Sequence, residues 1–325
     1  MVMAQSLFLS LKKTYPNCLI DVLAPAWSLP LLDRMPEVAK AIIMPLQHGQ
    51  FGLMTRIKLG RQLRSENYDQ AIVLPNSWKS ALIPFFAAVP HRTGFLGECR
   101  WGLLNDARKL NKSALTMTVQ RFVALGLPPV APQPPDYQPP SLPANKSGQA
   151  AVIEKFSLTS TEKILVLCPG AEYGPSKRWP AAYFAQIANA KMEQGWQVWL
   201  LGSEKDKVLA NAISTLTNQQ CRDFIGQTSL TEAIDLMSLA HTVVANDSGL
   251  MHLAAALDKT VIAIYGSTPP EFAPPLCKKA QTVTLNLPCS PCRQRVCPLY
   301  PVGHPEHTQC LTGITPERIL ELIGD

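Results

Sequence analysis

The sequence predicts an α/β protein built from two doubly wound parallel-sheet domains facing each other across a cleft. Three observations predict it. Strand-like and helix-like patterns alternate through both halves of the chain. Eight prolines (Pro128, Pro129, Pro132, Pro134, Pro135, Pro139, Pro140 and Pro143) crowd residues 128–150, which reads as a stiff linker. The length, 325 residues, suits two domains of ordinary size. The expected division is 1–150, then 151–312, then a final helix over 313–325 that crosses back toward the first domain.

In the first half, residues 1–13 carry apolar Met3, Leu7 and Leu11 on one helical stripe. Residues 18–23 read as a strand, 27–34 as a short helix that stops before Pro36, and 41–44 as a strand. Residues 53–65 form a basic amphipathic helix with Arg56, Lys58, Arg61 and Arg64. A strand over 69–74 and a helix over 76–87 follow. A doubly wound domain normally opens with a strand, yet here Met1 already lies in a helix. A gap is therefore expected between the strands at 18–23 and 69–74.

The second half alternates more clearly. Strands are expected at 164–168, 197–201, 223–225, 242–245 and 260–265, with helices at 181–194, 204–216, 231–240 and 250–257. Thr315 and Pro316 open the last helix, with Thr315 as its cap.

Composition narrows the class. Hydrophobic residues make up 46% and charged residues 17%, as in a globular protein with a substantial core. No apolar run reaches the ~18 residues that a membrane span needs, and the amino terminus lacks the pattern of a signal peptide. Nine cysteines are too sparse for a disulfide scaffold, so a reducing cytoplasm is the expectation. Charge is uneven. Residues 1–150 hold 16 Lys and Arg against 8 Asp and Glu, whereas 151–325 hold 14 against 16. The first half is thus basic, which fits an anionic partner or a solvated basic face.

The candidate chemistry lies at strand ends, where open α/β sheets bind ligands. Five successive strands end in glycine or small hydroxyl residues: at Gly170 and Gly174, Gly202-Ser203, Gly226-Gln227-Thr228-Ser229, Ser248-Gly249 and Gly266-Ser267-Thr268. Asp247 or Ser248 can cap the helix that begins near Gly249, whose free N–H groups suit a phosphate, with His252 within one turn. Lys177 can neutralise a diphosphate, and a carboxylate in the 202–206 turn, Glu204 or Asp206, can accept from ribose hydroxyls. Neither a Walker loop nor G-x-G-x-x-G is present. Cys289, Cys292, Cys297 and Cys310 have spacing that allows a structural zinc site, with His304 and His307 as substitutes; reduced thiols packing a loop are the alternative.

The runs CPGAEYGPSKRWP, GSEKD, NDSGLMHLAAAL and IAIYGSTPPEFAPPL resemble the ADP-heptose:lipopolysaccharide heptosyltransferases. DVLAPAW, PLLDRMPEV, VLPNSWKSALIPFFA, PHRTGF and GLLND carry the likeness through the first half. The resemblance implies a GT-B fold and inverting transfer of heptose from ADP-heptose to the phosphorylated, Kdo-bearing lipid A inner core. It implies no nucleic-acid partner and no required cofactor, with the protein cytoplasmic and peripheral at the inner membrane. It places Lys177, Asp247, Ser248, Gly249 and His252 at the donor diphosphate, Asp206 (with Glu204 beside it) at the ribose, and Thr228 at the adenine. Arg56, Lys58, Arg61, Arg64 and Lys79 are the candidate acceptor-side cations. In the family the proposed general base is an aspartate on a first strand and turn that find no match here, so weak transfer, or nucleotide binding without transfer, is the alternative expectation. A nucleotide-sugar epimerase on the same fold is a third reading, which the basic first half disfavours.

Overall fold

The computed structural model describes every residue of the chain except His48, Ser160, Thr161 and Asp325. Two compact units emerge, Met3–Gln138 and Pro139 onward. The division falls inside the proline-rich stretch but ahead of residue 150. The reason is local. Asn145 caps a helix, Lys146–Lys155, by accepting from Gly148 N. That helix is fixed to the second unit through Gln149 Nε2 on Ser238 Oγ (2.9 Å) and the Lys155–Glu232 ion pair (2.5 Å). Leu142 N also donates to Ala256 O. The linker composition concealed a helix.

The chain opens with a 3-10 turn, Val2–Ala4, and the first unit's opening helix, Gln5–Thr14, buries Leu7 and Phe8. Its strands are β1 (Asp21–Pro25), β2 (Lys40–Met44), β3 (Gln70–Val73), β4 (His91–Phe95) and β5 (Asp106–Arg108). All pair in parallel, but in two sheets, β1-β2 and β3-β4-β5. The expected gap is present: among the described residues β1 pairs only with β2, and β3 only with β4. The Tyr68 hydroxyl, just ahead of β3, donates to Asp21 at the start of β1 (2.6 Å). Strands β4 and β5 escaped the sequence reading. β5 is three residues long and holds an ion pair, Arg108–Asp106 at 2.7 Å, in place of an apolar run. Arg108 also donates to Ala124 O and Leu127 O, anchoring the end of the helix Thr118–Gly126.

The second unit carries β6 (Ile164–Cys168), β7 (Gln197–Leu200), β8 (Arg222–Asp223), β9 (Thr242–Asn246), β10 (Thr260–Ile264) and β11 (Ala280–Val283). They form one parallel sheet in the order β11-β10-β9-β6-β7-β8. Every residue of β6 and β9 is buried, as near-continuous apolar runs require when helices cover both faces. The final helix, Pro316–Ile323, turns Ile319 and Ile323 into this unit's core with Phe184 and Ile187. It packs on the helix Ala181–Glu193 and on β10.

Candidate functional site

Strand order reverses between β6 and β9. From β6 the chain runs outward to β7 and β8; from β9 it runs outward to β10 and β11. A crevice opens at such a switch point, beyond the carboxyl ends of the two strands. Here that switch point lies between the turn after β6, residues 169–180, and the turn after β9, residues 247–248. Because all six strands are parallel, the five small-residue turns read from the sequence share one edge of the sheet.

Asn246, fully buried at the end of β9, locks the two turns together. Its Oδ1 accepts from Trp179 N (3.1 Å) and its Nδ2 donates to Pro169 O (2.7 Å). A buried amide with both ends paired holds its neighbours in one geometry. Across this junction Lys177 Nζ stands 2.5 Å from Asp247 Oδ2, and both side chains are nearly buried. The same oxygen accepts from Thr268 Oγ1 (2.6 Å), which draws in the turn after β10. Lys177 also lies over the Tyr173 ring, 4.8 Å from its centroid.

These contacts alter the expected capping. Asp247 is taken by Lys177 and Thr268. Ser248 occupies the cap position of the helix Gly249–Ala256, but its side chain makes no cap bond, and its buried Oγ has no partner among the described residues. The first N–H groups of that helix are thus left without a side-chain acceptor. Together with the Lys177 donors not spent on Asp247, they can receive an anion. Gly249 keeps the approach clear: a Cβ there would meet no atom within 4 Å. His252 lies behind this turn. Burial, partly opposed by Asp247, pushes its pKa down to about 4, so the ring is neutral at pH 7.

The other residues expected on the donor side divide. Asp206 is buried, and its Oδ2 accepts from Ser203 N (2.9 Å) and Ser203 Oγ (2.8 Å). It packs where a Cβ at Gly170 would collide with it, so it ties the turns after β6 and β7. Glu204 is the carboxylate of that turn that faces solvent, paired with Lys207 at 2.8 Å. Thr228 is half-buried ahead of a helix, Leu230–Ser238, that Ser229 and Glu232 cap reciprocally.

On the first unit, Arg56 does not stand free as an acceptor-side cation. It is 6% exposed, and its guanidinium donates to the carbonyls of Phe51 (2.7 Å), Lys79 (3.2 Å) and Gln50 (3.3 Å). It is a structural clasp between residues 50–51 and the turn at 78–79. Lys79 donates to Gln50 O and Arg64 to Phe86 O. Lys58 and Arg61 lie on the exposed face of the helix Leu53–Gln62.

The four cysteines of the zinc expectation are free thiols. Among the described residues no three Cys, His, Asp or Glu side chains are grouped so as to hold a metal ion. Cys310 is instead pushed up to about 11, first by burial and then by Cys292, Cys289 and Cys297. Burial acts to raise Cys297 too, but N–H groups of Thr308, Tyr300 and Leu299 outweigh it and hold its thiol below the ordinary value.

Sequence reasoning missed Asn246, Tyr173 and the partnership of Thr268 with Asp247. No local pattern marks them, since their partners lie far along the chain.

Comparison with known proteins gives the family. Residues 56–302 match the model of glycosyltransferase family 9 (heptosyltransferase). The chain is 46% identical to lipopolysaccharide heptosyltransferase 2 of Salmonella typhimurium, over 99% of this chain and 93% of that protein. It is 49% identical to lipooligosaccharide heptosyltransferase 2 of Haemophilus influenzae, over 88% and 85%. The solved structure of Escherichia coli ADP-heptose lipopolysaccharide heptosyltransferase II superposes with a TM-score of 0.86 at 41% identity, covering 99% of this chain and 93% of that one. The chain belongs to glycosyltransferase family 9, the heptosyltransferases.

Proposed function

We propose that this glycosyltransferase moves L-glycero-D-manno-heptose from ADP-heptose, with inversion, to the heptosyl-Kdo₂-lipid A inner core of lipopolysaccharide. The observation that carries the donor side is the Lys177–Asp247 pair at the switch point, beside a helix start with no side-chain cap. The diphosphate sits against Ser248, Gly249 and the free helix N–H groups. Lys177 offsets the negative charge that grows on the leaving ADP as the glycosidic bond breaks, which lowers the barrier through preorganised electrostatics. The turn at 204–206 receives the ribose and the Thr228 turn the adenine. The charge comes from side chains and backbone, so this reading requires no metal cofactor.

The acceptor is anionic, and Lys58, Arg61, Arg64 and Lys79 supply the cations facing it, with Arg56 positioning the Lys79 turn. No helix among the described residues is long and apolar enough to cross a membrane. Next to these cations, however, Phe51, Met54 and Trp78 are exposed, and Phe51 stacks on Trp78 with centroids 6.3 Å apart. Apolar side chains among cations suit a surface of anionic lipid, which supports a peripheral place at the cytoplasmic face of the inner membrane. Incubation with ADP-heptose and heptosyl-Kdo₂-lipid A should yield an acceptor heavier by one heptose in the mass spectrum. An unchanged acceptor mass, with ADP binding intact, would overturn the reading.

A further inference from the structure

The Lys177–Asp247 pair raises an electrostatic question. A diphosphate carries at least two negative charges, yet the carboxylate of Asp247 at 2.5 Å already offsets part of the charge of Lys177. Helix N–H groups supply about half a charge. A further cation is needed, and one stands at the same turn. The guanidinium carbon of Arg295 lies 5.4 Å from the Tyr173 ring centroid, and Lys177 Nζ lies 4.8 Å from the same centroid. The two cations therefore cannot be more than about 10 Å apart, within the reach of one nucleotide diphosphate and two long side chains.

The backbone holds Arg295 there. Its carbonyl accepts from Ser176 N (3.3 Å), and the neighbouring Gln294 carbonyl accepts from Ser176 Oγ (2.5 Å). Arg293 N donates to Ser267 O (2.6 Å), and its carbonyl accepts from the Tyr173 hydroxyl (2.6 Å). Ser290 Oγ donates to Gly266 O (2.6 Å). A Cβ on Gly174 would come within 2.6 Å of Arg295 O, so the glycine allows this approach. The segment after β11 is thus stapled to the turns after β6 and β10 that frame the crevice. The Arg295 side chain is exposed and forms no salt bridge among the described residues. It does act on Glu172, whose carboxyl is held below its ordinary value first by Lys205 and, to a lesser degree, by Arg178 and Arg295.

We propose that Arg295 is a second cation of the donor site, which binds the diphosphate of the nucleotide sugar alongside Lys177. A guanidinium fork suits two phosphate oxygens, and the Tyr173 ring holds it in place. This rests on the placement of the diphosphate at Lys177 given above.

Calorimetry with ADP and with adenosine tests it on Arg295→Ala, Arg295→Lys and Lys177→Ala, each checked for unchanged thermal unfolding. Arg295→Ala should weaken ADP about tenfold, as loss of a charge-assisted contact does, and leave adenosine unchanged. Arg295→Lys should recover part of that loss, since it restores charge without the fork. ADP affinity unchanged in Arg295→Ala, while Lys177→Ala weakens it, would overturn the role of Arg295 alone. Equal losses for ADP and adenosine in Arg295→Ala would overturn it too, because only loop packing would then be at work. Unchanged ADP affinity in Lys177→Ala would instead remove the diphosphate placement, and the Arg295 proposal with it.

Discussion

The Asp247 carboxylate stands 2.5 Å from the Lys177 ammonium, joining turns 70 residues apart in the chain. The pair orients the lysine before any nucleotide arrives. In the donor placement proposed above, the lysine would bind phosphate through the donors that Asp247 leaves free. Replacing Lys177 with alanine should weaken ADP by ~1.5–3 kcal/mol, the range for a hydrogen bond to a charged group. Isothermal calorimetry checks this, and equal affinities would remove Lys177 from the site.

At Gly249 the protein leaves open space: no atom lies within 4 Å of a built Cβ. Gly249→Val should therefore unfold at nearly the temperature of the parent. ADP should nonetheless bind at least about tenfold more weakly, the effect of losing one charged contact, since the valine occupies the path of the diphosphate. A variant that folds and binds ADP normally would show that this helix start is not the phosphate site.

His252 predicts a pH dependence. Burial lowers its pKa to about 4, against an ordinary value near 6.5. Above about pH 6.5 the ring is neutral in folded and unfolded chains, and the group contributes no slope. Between about 6.5 and 4 the unfolded chain takes up a proton that the folded chain refuses, so stability falls as pH falls. Denaturant unfolding at pH 7, 5.5 and 4.5 should show a shallower decline for His252→Asn than for the parent protein.

Arg56 predicts a loss of stability more than of acceptor binding. Its guanidinium is buried on the carbonyls of Phe51, Lys79 and Gln50. Arg56→Ala removes the donors to all three carbonyls and should cost about 1–3 kcal/mol. Arg56→Lys should recover little, because an ammonium cannot reproduce the spread of the fork. Urea denaturation measures both. An Arg56→Ala protein as stable as the parent but impaired in acceptor KM would return Arg56 to the acceptor site.

The cysteine segment predicts an order of reactivity. Backbone N–H groups favour the Cys297 thiolate, whereas burial and three neighbouring thiols push Cys310 up to about 11. The thiolate is the reactive form. Iodoacetamide at pH 8 followed by peptide mass mapping should find Cys297 alkylated before Cys310. The reverse order would show that the two environments are misassigned.

The sequence by itself determined the alternation of the second unit, because strands buried on both faces must be apolar runs, and β6, β9 and β10 are such runs. It also placed the small-residue turns and Lys177, Asp247 and Gly249 at the strand ends, since glycine and hydroxyl residues leave a local signature. Tertiary structure alone decided what those side chains do. It spent Asp247 on Lys177 and Thr268 instead of on a helix cap, buried Arg56 under three carbonyls, and turned Asp206 inward onto Ser203. It also brought Arg295 to Tyr173, 122 positions away in sequence. Local periodicity records which face of an element is apolar. It holds no record of which polar partner, far along the chain, will reach a charged group first, and that contact decides whether the group remains available to a ligand.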